Sequence, residues 1–187
     1  MKNPDAQPSA KTLRVWDILI RIFHWSLALS FASAWASSSS RDDTHQWIGL
    51  FAAALITFRL IWGFNGGHYA RFAQFVRDPK TTLAYLLAIL RGTEARYIGH
   101  NPAGAMMVLA LLAGIAATAT TGLLMTTDAY FGDDAMQELH GFCADATVVL
   151  IALHICGVVL ASFRHKENLV AAMITGEKRS AVDTDIG

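Results

Sequence analysis

The chain has 187 residues, about one domain by length. Hydrophobic residues make up 53% and charged residues only 16%, where soluble domains run to about 25% charged, so the composition leans toward lipid. The net charge of zero argues against a nucleic-acid partner.

In chain order, a basic tail over 1–15 carries Lys2, Lys11 and Arg14. Apolar stretches follow at roughly 16–37, 45–64, 102–125 and 138–163. Each approaches or exceeds the ~20 residues with which a helix crosses a bilayer core. Between the second and third lies "DPKTTLAYLLAILRG", whose apolar run is too short to cross and is flanked by basic residues. It reads as an amphipathic helix lying on the membrane surface, and the tail segment "ENLVAAMITGEKR" allows the same reading. The expected fold is therefore all-α: a four-helix membrane bundle over 16–163 with tails over 1–15 and 164–187, plus one short interfacial helix.

Basic residues fix the expected orientation. The two tails and the segment 65–101 hold twelve Lys and Arg between them: Lys2, Lys11, Arg14, Arg71, Arg77, Lys80, Arg91, Arg96, Arg164, Lys166, Lys178 and Arg179. The other two connections hold only Arg41, beside Asp42 and Asp43, and then acidic residues alone: Asp128, Asp133, Asp134 and Glu138. Short loops rich in Lys and Arg stay cytoplasmic, so both termini are expected inside. A basic tail, an apolar run and "FASAWASSSS" also have the ingredients of a cleaved signal peptide. Arg21 and His24 interrupt its would-be hydrophobic region, which argues against cleavage.

Cys143 and Cys156 stand 13 residues apart on one expected helix, about 20 Å along its axis and far beyond disulfide reach. No C-x-x-C-H occurs, so covalent c-type haem attachment is not expected.

Seven histidines are present. His68, His100 and His165 fall at or beyond the cytoplasmic helix ends, among basic residues, and call for no special role. The other four match in depth. His45 and His140 open spans two and four at the outer side; His24 and His154 lie about 12–14 Å in from the cytoplasmic ends of spans one and four. His140 and His154 are 14 residues apart, close to four helical turns, so they share one stripe about 21 Å long. Histidines facing each other across a bundle at two stacked levels are the arrangement that holds two haems on axial imidazoles. A small transition-metal site would instead want three or four ligands at one level.

Arg59 lies 14 residues inward from His45, at the inner level, and Arg21 is three before His24. A bare arginine at mid-bilayer costs about 3 kcal/mol on insertion scales, so each calls for an anion, and haem propionates would serve. For Arg21 the alternative is Asp17, four residues earlier; Arg41 is a further candidate for the outer haem. Gly49, Gly141 and Gly157 fall near the candidate ligands, where small residues let a flat macrocycle approach. Asp145 turns to the face opposite His154, either as a proton-relay carboxylate beside a quinone or as the partner of a polar group on another span.

"VWDILIRIFHW", "RLIWGFNGGHYARFAQF", "YIGHNPAGAMM", "LHGFCADATVVLIALHICGV" and "ENLVAAMITGEKR" together resemble the bacterial cytochrome b561 family, especially its branch similar to the b-type cytochrome subunit of Ni/Fe hydrogenases. The resemblance spans about residues 12 to 179. It implies an inner-membrane protein with two non-covalent b haems on His24, His45, His140 and His154. It further implies electron transfer between the quinone pool (ubiquinone or menaquinone) and a periplasmic partner such as a c-type cytochrome or a hydrogenase. An electron-transfer subunit is the expectation; the alternative is a stand-alone superoxide:quinone oxidoreductase.

Overall fold

The computed structural model describes residues 12–39 and 43–186. Arg41, and with it the suggestion that it serves an outer cofactor, lies outside them, as do Lys2 and Lys11. Four long apolar helices dominate: α1 (Ile18–Ala36), α2 (Thr44–Asn65), α5 (Pro102–Leu124) and α6 (Asp134–His165). Each is long and apolar enough to cross a membrane. Between α2 and α5 come a 3₁₀ turn at His68–Ala70, the short α3 (Phe72–Phe75) and α4 (Pro79–Arg91). After α6 comes α7 (Leu169–Thr175). The structure adds two three-residue strands, β1 (Thr12–Arg14) and β2 (Glu177–Arg179), paired antiparallel.

Local chemistry explains the boundaries. Asp17 caps α1 by accepting from the Ile20 amide at 2.9 Å, and Asn101 caps α5 by accepting from the Gly104 amide at 2.7 Å, with Pro102 at the first helical position. Asp133 accepts from the Met136 amide at 2.7 Å. That cap, with Asp134 in the first turn, starts α6 a turn before its apolar run. At its far end Arg164 and His165 occupy the last turn, where cations suit the helix dipole. Asp78 caps the surface helix α4 through the Lys80 and Thr81 amides, both at 3.0 Å.

The packing is asymmetric. Phe23 and Leu27 of α1, Ala52 and Ile56 of α2, and Leu112 and Ile115 of α5 form one buried cluster. Helix α6 has no residue in it and leans on α5. Two glycines of α5 permit that approach. A Cβ on Gly114 would lie 2.8 Å from Oγ1 of the fully buried Thr147, and one on Gly122 would lie 3.1 Å from the His140 ring. Small residues letting helices close is the normal solution in membranes, where no hydrophobic drive separates helix from lipid. The outward faces of the four helices carry exposed Leu, Ile, Val and Phe side chains, as a lipid-facing surface requires.

Both described termini meet at one end of the bundle through β1 and β2. The Val15 and Trp16 amides donate to the Gly176 carbonyl at 2.9 and 3.1 Å. The segment after α7 then crosses under the 92–101 connection: Ile98 N–H donates to Ile186 and Ile186 N–H to Arg96, each at 2.9 Å. Beneath it lies a buried charge cluster. Arg96 donates to Glu167 at 2.7 Å and also pairs with Asp185. Lys178 Nζ donates to the carbonyls of Tyr97 and Ile98 at 3.2 and 2.9 Å and lies 3.4 Å from Glu167. The tail after α6 is thus folded back as a strap under the bundle.

Candidate haem-binding centre

The structure sets the four span histidines in two pairs. His45 of α2 faces His140 of α6 with ring centroids 6.1 Å apart. His24 of α1 faces His154 of α6 at 6.4 Å. With a metal–imidazole bond of about 2.0 Å and ring bonds near 1.33 Å, which put a nitrogen about 1.1 Å from the ring centre, two imidazoles on one metal have centroids about 6.3 Å apart. Both separations fit a single ion between the rings. They are too wide for a direct hydrogen bond between the rings. Among the described residues no group of three or more His, Cys, Asp or Glu side chains converges to hold a metal ion; the rings come in twos.

Backbone carbonyls orient the outer pair. His45 Nδ1 donates to the Ala34 carbonyl at 2.9 Å, and His140 Nδ1 donates to the Thr118 carbonyl at 3.0 Å, with Thr121 Oγ1 3.1 Å away. A carbonyl only accepts, so the proton sits on Nδ1 and each Nε2 presents its lone pair. This is the outer-shell anchoring found behind metal-bound imidazoles. The inner pair has a different setting: His24 Nδ1 is buried without a partner among the described residues.

Arg59, 3% exposed, stands at the level of His24, since the preceding residues Phe58 and Phe23 pack with ring centroids 6.4 Å apart. Its guanidinium lies over Phe72, 4.7 Å from the ring centroid, and 6.0 Å from that of Phe75. Its Nη1 is buried with no partner among the described residues. The carboxylate whose charge reaches it is Asp17, but both Asp17 oxygens are engaged, by the Ile20 amide and by Trp62 Nε1 at 3.4 Å. Arg21 does not pair with Asp17. One arm of its guanidinium donates to the Ile174 carbonyl of α7, and its Nε is buried without a partner among the described residues. Buried guanidinium hydrogens with nothing to bind call for an oxyanion at this level, and haem carboxylates have that chemistry.

A Cβ built on Gly49, Gly141 or Gly157 meets no protein atom within 4 Å, so backbone near each pair opens onto free space. The residue set therefore fits b-type haem: paired imidazoles at bonding separation, cations without an anion, and room beside the helices. Asp145 lies on the exposed face of α6, with no hydrogen bond or ion pair among the described residues. Cys143 and Cys156 are free thiols.

His100 is the residue the sequence reading undervalued. It sits between the Trp16 and Phe75 rings at centroid distances of 4.7 and 4.6 Å, within electrostatic reach of Arg59 and His154. Only its neighbours in the "YIGHNP" stretch, a capping Asn and a helix-opening Pro, hinted that this connection is structured.

A four-span bundle with imidazoles paired across it at two heights defines a membrane cytochrome of the b type. The profile of the prokaryotic cytochrome b561 family matches residues 15–176, and the chain belongs to that family. It is accordingly a membrane protein and a haem b electron carrier. No curated relative and no solved structure matches it.

Proposed function

We propose that this chain is a di-haem cytochrome of the bacterial inner membrane, passing electrons between the quinone pool and a redox partner on the far side. His45 and His140 would hold the outer haem, His24 and His154 the inner one. The observation that carries this reading is the two ring pairs at 6.1 and 6.4 Å, about 21 Å apart along α6 by helical rise.

When bound, haem supplies reversible one-electron chemistry. The protein's part is to fix the imidazoles, to balance charge at the inner level with Arg59 and Arg21, and to exclude water with the apolar α1–α2–α5 cluster. Orientation follows from charge: Arg71, Arg77, Lys80, Arg91, Arg96, Arg164 and Lys166 all lie at the end that carries the termini, which supports a cytoplasmic placement of that end. The opposite end exposes Asp128, Asp133, Asp134 and Glu138. An acidic surface there favours a basic periplasmic partner, such as a c-type cytochrome, by charge steering. The resemblance to the hydrogenase-like branch favours an electron-transfer subunit over a free-standing oxidoreductase.

The test is a visible spectrum and haem count on protein purified with its cofactors. Two b haems per chain with a bis-histidine spectrum are expected. His45→Ala should delete the outer haem and spare the inner. Colourless protein, or equal loss of both haems from that variant, would overturn the assignment.

A further inference from the structure

The buried nitrogens without a partner among the described residues include Arg59 Nη1, Arg21 Nε and His100 Nδ1. Two of them share a wall: Arg59 and His100 both lie against Phe75, itself 1% exposed, at 6.0 and 4.6 Å from its centroid. Phe23 and Phe58, the residues before His24 and Arg59, pack with ring centroids 6.4 Å apart, so Arg59 stands level with His24, and His100 shares the Phe75 wall with that arginine. We propose that His100 is a positioning residue of the inner haem, its ring N–H joining Arg59 in holding one haem carboxylate. The proposal rests on the assignment of His24 and His154 to that haem.

The chemistry of the seat favours a carboxylate. Arg59 is buried and its Nη1 has no partner among the described residues, Asp17 included, so an anion suits the place where it points. Burial among aromatic rings, then the charges of Arg59, Lys178 and His154, push His100 down to about 3. A neutral imidazole there has one N–H to give and no charge to repel Arg59. A carboxylate accepts from both groups at once, through four lone-pair sites.

The rest of the end cap holds the histidine still. Lys178 grips the carbonyls of Tyr97 and Ile98, Ile186 bridges the same strand of backbone on both sides, and Asn101 is fixed as the α5 cap. Trp16 closes the other side of the ring. A donor locked by its neighbours binds without losing rotamer freedom, which is what a positioning residue requires.

The experiment uses the haem-loaded protein in nanodiscs with two variants. His100→Phe keeps the aromatic packing and deletes the donor; His100→Gln restores an N–H. The readouts are the midpoint potential of the inner component and the rate of haem transfer to apomyoglobin. His100→Phe should lower the inner potential, because a less neutralised carboxylate favours ferric iron. It should also speed inner-haem loss about tenfold, the low end for losing a group that supports a metal site without binding the metal. The outer component should stay unchanged, and His100→Gln should recover most of both effects. Equal behaviour of the two variants, or an unmoved inner potential in His100→Phe, overturns the proposal. So does a changed quinone dependence with unmoved haem potentials, which would give the seat to another acceptor. Wild-type protein without two bis-histidine haems would instead sink the assignment beneath it.

Discussion

Replacing Gly122 with Ala tests the outer centre from a helix that contributes no ligand. A Cβ there would stand 3.1 Å from His140 Cε1 and 3.4 Å from its Nδ1. Ordinary carbon contact begins near 3.5 Å, so the ring must retreat from α5 by about 0.4 Å. That motion stretches the Nδ1 hydrogen bond to the Thr118 carbonyl, now 3.0 Å, toward the limit of a real bond. A neutral hydrogen bond contributes about 1 kcal/mol net, and that energy is roughly a fivefold factor in an equilibrium. The expected result is an outer haem bound about fivefold more weakly, with its potential shifted, and an inner haem left as it was. Redox titration with haem-to-protein ratios separates the two components within one sample. If the inner component moves instead, or if the outer one is untouched while His140→Ala deletes it, the contact between Gly122 and a ligand ring is not what the geometry says.

Arg96→Met should release the strap. It leaves Asp185 buried without its side-chain cation and Glu167 with Lys178 alone, a loss of about 3 kcal/mol, the low end for a broken buried pair, read as faster hydrogen exchange over residues 177–186. Acid should do the same. Burial raises both carboxyls, but hydrogen bonds from Arg96 and the backbone, with the charges of Arg96 and Lys178, hold Glu167 below its ordinary 4.5 and Asp185 below 3.8. Groups depressed in the fold stabilise it fully above those ordinary values and lose that contribution as pH falls through the lowered native ones. Strap protection should therefore be constant near neutrality and fall below pH 4.5. Orientation is checked in spheroplasts lacking Cys143 and Cys156: a cysteine at Phe131, 83% exposed at the acidic end, should take an impermeant maleimide, and one at Arg91 should not. Asn101→Ala removes the α5 cap and should cost about 1 kcal/mol in thermal unfolding, with the 97–101 connection loosening first.

What was legible in the sequence is what helical geometry converts directly from spacing. In lipid every backbone polar group must be satisfied within its own segment, so an apolar run of sufficient length has one available form. Position along it becomes depth at 1.5 Å per residue. That conversion yields four spans, the matched depths of His45 with His140 and His24 with His154, and the inner level of Arg59. It also turns Asp145 to the exposed face of α6. Depth along a helix does not determine which way neighbouring helices face, nor where connections return. Arg21 found the Ile174 carbonyl 153 residues away, not the carboxylate four residues before it. Asp17 met Trp62 across 45 residues. His100 came to lie between Trp16 and Phe75 in a connection that Ile186 and Lys178 of the strap tie under the bundle. Such contacts join segments whose local patterns carry no trace of each other, so only packing of the complete chain, with its buried charges seeking partners, could decide them.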